Sequence, residues 1–180
     1  KWYQQASHLL LCNDSVIGPI SSLRPVLGRM QANEDEAWGL TQSDQITPHL
    51  QSYFLLLGRK VFGHHDVQAF FRSISGQQSR YDVIEKYELG FSRLLLTLGF
   101  PLRAFFVGED CLDPRNGKRM INPTAYPLSL ACMGSPLIKT KALRDPLANN
   151  DSLLSTLKLI AKKNPYLWNA LWRSIPSRRL

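Results

Sequence analysis

The segment Leu9-Leu10-Leu11-Cys12-Asn13-Asp14-Ser15-Val16-Ile17-Gly18-Pro19 decides how the chain is read. An apolar run enters a three-residue polar cluster, and Gly-Pro follows. The run reads as a buried strand, so the cluster falls where that strand ends. In open α/β sheets, ligands bind just beyond the carboxyl ends of strands. Asn13, Asp14 and Ser15 are therefore the first candidates for chemistry. The same residues also read as a strand running into an Asx-turn, with Asp14 only capping the backbone.

Outward from this segment, strand and helix signals alternate. Pro48 and Gly58 bracket His49 to Leu57, whose length and aromatic content favour a strand. A period of two puts His49, Gln51 and Tyr53 on one face and Leu50, Ser52, Phe54 and Leu56 on the other. Three polar tips on a buried strand need partners, either a ligand or an internal network. Ala37 to Thr41, Leu102 to Val107 and Pro136 to Lys139 read as further strands. Leu23, Val26, Leu27 and Met30 follow helical spacing after a Ser21 or Ser22 cap. Asp66 caps a helix with the stripe Val67, Phe70, Phe71 and Ile74. Asp82 and Glu85 have capping-box spacing ahead of Ile84, Tyr87, Phe91, Leu94, Leu95 and Leu98, and Gly99 ends that helix. Asn33 to Glu36 reads as exposed and polar. Asn149 to Asp151 caps a last helix. The pattern predicts an α/β fold, a mixed sheet flanked by helices, with residues 1–147 as the core and 148–180 as a basic C-terminal helix and tail.

Glu88 lies four residues after Ile84 and three before Phe91, so it projects into the apolar stripe. A carboxylate there costs free energy unless it is paired or functional. Burial would raise its pKa and suit it to act as a general base. Pairing with Arg93 or His49, or a position at the edge of the stripe, would account for it equally well.

Composition narrows the classes. With 180 residues, 44% hydrophobic and 20% charged, the chain has the composition of one globular domain. No apolar run approaches the roughly 18 residues of a membrane span, and no secretory signal is evident. Cys12, Cys111 and Cys132 are unpatterned, which fits a reducing, cytoplasmic setting and suggests no zinc site. The net charge of +8 asks for an anionic partner. No aromatic-interleaved basic motif marks a specific nucleic-acid binder. From Lys158 onward the chain carries Lys158, Lys162, Lys163, Arg173, Arg178 and Arg179 and no acid. With Tyr166, Trp168 and Trp172, that end reads as a peripheral contact with the inner face of the plasma membrane, or as a solvated helix and tail.

Several segments, in order, resemble one family. They are Leu11 to Pro19, Trp38-Gly39-Leu40-Thr41, His49-Leu50-Gln51-Ser52-Tyr53-Phe54-Leu55, Ile84-Glu85-Lys86-Tyr87-Glu88-Leu89-Gly90, Asn122-Pro123-Thr124 and Pro136-Leu137-Ile138-Lys139. Together they resemble the rhamnan synthesis F proteins, over about residues 6 to 147. The resemblance implies a GT-A-like glycosyltransferase that builds rhamnose-containing surface polysaccharide from a nucleoside-diphosphate sugar, with a glycan or lipid-linked glycan as acceptor. It implies Glu88 as catalytic base, Asn13, Asp14 and Ser15 as donor contacts, and Asp14 as the ligand of Mg²⁺ or Mn²⁺. Trp38, His49, Gln51 and Tyr53 are the expected acceptor contacts. The chain departs from the family where Asn13 and Ser15 flank a lone Asp14, because one carboxylate needs diphosphate oxygens and water to complete a metal shell. Soon after Asn-Pro-Thr the family is expected to carry a His or an aromatic; this chain has Ala125 and Tyr126, which support no metal-ligand role there. Only about a dozen residues precede Asp14, so the chain is expected to be the acceptor-side part, without the nucleotide-binding half. The rival expectation is a non-catalytic assembly or binding protein derived from that part.

Overall fold

The computed structural model describes residues 5–30, 34, 36–108, 111–112, 117–144 and 150–174. In chain order the elements are β1 (His8–Cys12), β2 (Val16–Ile17), α1 (Arg24–Met30), β3 (Ala37–Ser43), β4 (His49–Leu50), β5 (Phe54–Gly58), α2 (Arg59–Gly63), α3 (His65–Arg72) and α4 (Arg80–Val83). A π-helical stretch, Ile84–Leu89, runs into α5 (Gly90–Thr97). Then follow β6 (Leu102–Phe106), a 3₁₀ turn (Pro123–Ala125), α6 (Pro127–Cys132), β7 (Ile138–Lys139), α7 (Thr140–Arg144), α8 (Asn150–Lys163) and α9 (Pro165–Ser174). This is the expected α/β class, a mixed sheet flanked by helices.

The sheet runs β1-β5-β3, with β4 and β6 also paired to β3. β1 and β3 are both antiparallel to β5, and β6 is parallel to β3. The carboxyl ends of β1, β3 and β6 therefore lie at one end of the sheet, beside the start of β5. On one face, Trp38, Leu40, Phe54 and Leu56 pack with Val26 and Met30 of α1 and Leu130 of α6. On the other, Ala37, Leu50, Leu55 and Leu57 pack with Val61, Val67, Phe91 and Leu95 of the α2–α5 helices. Fully burying one such side chain contributes about 1.5–3 kcal/mol, so the two faces hold the sheet from both sides.

The expected strand His49 to Leu57 is interrupted. Gly39 pairs with Leu55 and Gln42 with Leu50, so three steps along β3 match five along its partner. Two residues are extra, and the chain turns through Gln51 to Tyr53 before pairing resumes. This bulge breaks the period of two. Leu50 joins one core layer, while Phe54 and Leu56 join the other.

Local signals shift in smaller ways too. Ser22 caps α1 as expected, its Oγ accepting from Arg24 N at 3.2 Å. The cap before α4 is Ser79, which accepts from Asp82 N, and not the Asp82–Glu85 box. The cap before α3 is His64, with Asp66 inside the first turn. Glu36, expected at the surface, is 7% exposed, because its carboxylate accepts from Trp38 Nε1 at 2.8 Å and pairs with Arg103 at 3.4 Å.

At the C-terminal end, α8 seats Ile160 against Ile20, Ala131 and Ile138. Lys163 Nζ donates to Ala131 O, and Asn164 both caps α9 and donates to Pro19 O. The expected cap at Asn149 and the cations Arg178 and Arg179 lie outside the described residues. No helix among the described residues is long and apolar enough to cross a membrane.

Gly58 ends β5 where the backbone of Glu34 crosses it, and a Cβ there would overlap the Glu34 backbone. The obstacle is main chain, which a side-chain rotation cannot relieve. Gly58→Ala should therefore destabilise the fold by about 1–3 kcal/mol, read as a lowered midpoint in urea with an unchanged slope.

Candidate active site

At the carboxyl end of the sheet, the bulge, the π-helical stretch and the turn after β1 meet. Glu88 reaches from the π-helical stretch to the bulge. Its Oε2 accepts from Ser52 N at 3.2 Å and from Ser52 Oγ at 2.7 Å. Its Oε1 lies 3.3 Å from His49 Nε2, and the two side chains are only 13% and 5% exposed. One turn on, Ser92 Oγ accepts from Leu50 N at 3.1 Å. The helix therefore meets the broken strand through a polar row, Glu88 and Ser92, set within an otherwise apolar face.

His49 shows why the pair is ionised. Its Nδ1 lies 2.7 Å from the Thr47 carbonyl, which can only accept, so Nδ1 carries a proton. Its Nε2 faces a carboxylate, which also accepts. Burial alone would lower the His49 pKa, but the Glu88 and Thr47 hydrogen bonds and the Glu88 charge outweigh it and raise it. For Glu88, burial pushes upward, yet the His49 and Ser52 hydrogen bonds and the Lys139 charge prevail and bring its pKa down to about 2. This corrects the expectation that burial would raise the Glu88 pKa. His49 of β4 and Ser52 of the bulge offer donors to the ionised form, and these decide the sign.

Gln51 and Tyr53 sit beside this pair in a network of their own. Gln51 Oε1 accepts from Thr41 Oγ1 at 2.7 Å, and its Nε2 donates to Asn122 Oδ1 and Thr124 Oγ1, both at 3.2 Å. The Tyr53 hydroxyl is 2.9 Å from Thr41 Oγ1, and burial pushes the phenol's pKa up. Both side chains are buried with their polar tips engaged. Thr41 itself is fully buried.

The turn after β1 is tied to the same place, since Asn13 N donates to Tyr53 O at 3.2 Å. It is an Asx-turn, with Asn13 rather than Asp14 as the capping side chain. Asn13 Oδ1 accepts from Ser15 N at 3.0 Å and from Ser15 Oγ at 2.5 Å. Asp14 is left exposed. The turn thus offers a metal ion one free carboxylate, with the Asn13 oxygen already engaged twice. Among the described residues, no group of three or more His, Cys, Asp or Glu side chains is placed to share a metal. A hard divalent ion takes about six or more oxygens, so it would fit here only with most of its shell supplied by a ligand such as a diphosphate.

Lys139 completes the cluster. Val16 of β2 pairs with Lys139 of β7, and the Lys139 ammonium lies 5.0 Å over the Tyr53 ring. Trp38 stands apart from these partners. It is 8% exposed, donates to Glu36, and lines an open cleft of about 480 Å³ with Arg29, Gln42 and Arg103.

The bulge hides part of this arrangement from the sequence. Strict alternation assigns Ser52 to the face opposite His49, whereas the structure turns both onto Glu88. Lys139 carried one signal, a cation at the end of a short buried strand.

The family model for rhamnan synthesis protein F matches residues 3–179, nearly the whole chain. The chain belongs to the rhamnan synthesis protein F family. The match thus reaches past residue 147 and includes the C-terminal helices. The chain is also similar to "Uncharacterized protein y4gN" of Sinorhizobium fredii (strain NBRC 101917 / NGR234), with 27% identity over 108 residues. That alignment covers 58% of this chain and 28% of the relative, so the chain spans well under a third of that protein's length. No solved structure matches.

The shifted pKa values fix the sign of a pH dependence. Glu88, depressed, stabilises the fold above the ordinary carboxylate value of 4.5, and this is lost as pH falls towards about 2. His49, raised, stabilises it below the ordinary imidazole value of 6.5, and this is lost as pH climbs through its folded value. The stability difference between wild type and Glu88→Gln should therefore be largest between those ordinary values and shrink on either side. In the same variant, the His49 pKa read by NMR should fall.

Proposed function

We propose that this chain carries the acceptor side of a glycosyltransferase, a rhamnosyltransferase on the family's name, that uses a nucleoside-diphosphate sugar to build cell-surface polysaccharide. The observation that carries the reading is the ionised Glu88. It is fixed by His49 and Ser52 at the carboxyl end of the sheet, beside the turn that holds Asp14. A carboxylate has about four lone-pair sites. Ser52 and His49 take three, and the fourth is left for an acceptor hydroxyl.

In the proposed reaction, the acceptor oxygen forms a bond to C1 of the sugar. The bond between C1 and the diphosphate oxygen breaks, and its electron pair leaves with the diphosphate. The proton of the acceptor hydroxyl passes to Glu88. A carboxylate with a pKa near 2 is a weak base towards an alcohol. It becomes competent as the new bond puts positive charge on the acceptor oxygen. Glu88 therefore first orients the hydroxyl and then takes its proton late. Asn13, Asp14 and Ser15 contact the donor, and Asp14 is the residue that would hold Mg²⁺ or Mn²⁺ with the donor's diphosphate oxygens. Such an ion would supply charge neutralisation at the leaving group.

Among the proposed acceptor residues, His49 acts through Glu88. Gln51 and Tyr53, with their polar tips engaged, shape the floor of the site. Trp38 keeps only a narrow strip of indole for a sugar, at the wall of its own cleft. A nucleotide-sugar donor and a lipid-linked acceptor would meet at the cytoplasmic face of a membrane. Tyr166, 88% exposed on α9, and the exposed Lys158 and Lys162 on α8 are the described groups that would face lipid headgroups. Vesicle flotation unchanged by removing residues 165–180 would set this contact aside.

A second reading is favoured by the closed network around Gln51 and by the low Glu88 pKa: a non-catalytic assembly or binding protein in which the carboxylate only locks the bulge. The two readings differ in kinetics. In the full protein, Glu88→Gln should cut kcat by about 10²–10⁴-fold with a small change in KM if Glu88 takes the proton. Normal turnover in that variant would refute the assignment. Asp14→Ala should weaken donor binding and alter any metal dependence, and calorimetry that finds no binding of nucleotide sugars to the wild type would favour the non-catalytic protein.

A further inference from the structure

Lys139 lies beside both the turn after β1 and the Glu88 carboxylate. Its neighbour Thr140 donates both N, at 2.9 Å, and Oγ1, at 3.0 Å, to Ser15 O, the residue that closes the turn. Its own side chain crosses to the Tyr53 ring, whose backbone carbonyl holds Asn13 N. Lys139 is thus held beside the turn and, through Tyr53, next to Ser52, which holds the Glu88 carboxylate.

The ammonium is unusually placed. It is half-buried, and among the described residues it makes a cation–π contact but no hydrogen bond or ion pair. The nearby Glu88 carboxylate attracts it without pairing, because the Glu88 oxygens face His49 and Ser52. Burial lowers its pKa, the Glu88 charge raises it, and Arg80 and Lys141 lower it further, with a net fall. A desolvated cation beside two more cations carries a cost that an arriving anion would relieve. Arg80 and Lys141, both exposed, add two further positive charges near Lys139, against the single Glu88 carboxylate that is already engaged. A diphosphate, with charge on both phosphoryl groups, matches three cations better than a single carboxylate would.

We propose that Lys139 is the binding residue for a diphosphate group, seated between the Asn13–Ser15 turn and Glu88. The inference rests on the transferase reading and gives it a leaving-group contact. As the C1–O bond to the diphosphate breaks, the electron pair and negative charge pass to the diphosphate oxygen beside Lys139. On the opposite side of the sugar, the acceptor oxygen bonds to C1 and its proton goes to Glu88.

The test is calorimetric titration of inorganic pyrophosphate, with orthophosphate for comparison, into the full protein. Wild type should bind pyrophosphate more tightly than orthophosphate. Lys139→Met keeps the apolar stem over Tyr53 and removes the charge, so it should weaken pyrophosphate binding about tenfold or more. Lys139→Arg should restore most of it. Lys139→Gln replaces Lys139→Met if thermal melts show the Met variant to be unfolded. Equal pyrophosphate affinity in wild type and the uncharged variant, or no binding by wild type, would overturn the proposal. Competition by a nucleoside diphosphate would place the donor's diphosphate at the site, and competition by a prenyl diphosphate alone would place a lipid-linked acceptor's there. The transferase reading fails separately: if the full wild-type protein transfers no sugar while Lys139 still governs pyrophosphate binding, that reading is lost and the diphosphate site stands, whereas intact turnover in Glu88→Gln removes only the base assignment.

Discussion

Two hydrogen bonds from Ser52 to the Glu88 carboxylate join the helix to the carboxyl end of this sheet. A strand that gains two residues must leave some backbone N–H groups without sheet partners, and one on a buried residue such as Leu50 is costly. Glu88 takes the Ser52 amide and its hydroxyl together, and Ser92 takes the Leu50 amide. The helix thus supplies acceptors where β3 does not. The dependence runs both ways, because a carboxylate at 13% exposure would be expensive without those donors and His49. Removing one partner of such a buried pair costs about 3–5 kcal/mol, a large fraction of the stability of an ordinary domain.

The π-helical stretch belongs to the same arrangement. Ile84, Tyr87, Glu88 and Phe91 share a face in any regular helix, and that much was legible from spacing. Spacing did not show that Leu89 and Ser92 would also be buried. Widening the helix over Ile84–Leu89 packs a residue beside Glu88 while Glu88 still reaches the bulge. Such wide turns tend to occur at functional sites. The Tyr87 hydroxyl takes hydrogen bonds from Ser75 N and Gln77 Nε2, which anchors the start of the stretch to the preceding loop.

The fold class, the strand ends and the placement of Asn13, His49 and Glu88 could be read from the sequence because each rests on a local pattern. Apolar runs stop at polar clusters, and a charged residue interrupts a helical stripe. What could not be read depends on partners distant in sequence. Ser52 was assigned to the wrong face because a period of two assumes an unbroken ladder. Glu36 looked exposed within an acidic run, and only the crossing of Trp38 and Arg103 buries it. The Glu88 pKa was expected to move the wrong way for the same reason. Burial can be inferred from one helix, but the donors that outweigh it come from the bulge.

The closed network around Gln51 bears on how such a site would work. Both Nε2 hydrogens of Gln51 are already donated, so it has no donor left for a sugar and is a poor acceptor contact as it stands. It is well placed for another task. Thr41, Asn122 and Thr124 come from β3 and from the turn at residues 122–124, and all three meet on the Gln51 amide. The residue on the other side of Ser52 is Tyr53, likewise held to Thr41. Ser52 is thereby fixed between two anchored neighbours. The direction of its N–H and O–H, and through them the orientation of the Glu88 carboxylate, is set by the fold. Preorganisation of this kind is worth more to a transfer reaction than an additional loose contact, because orientation costs paid in folding are not paid again at the barrier.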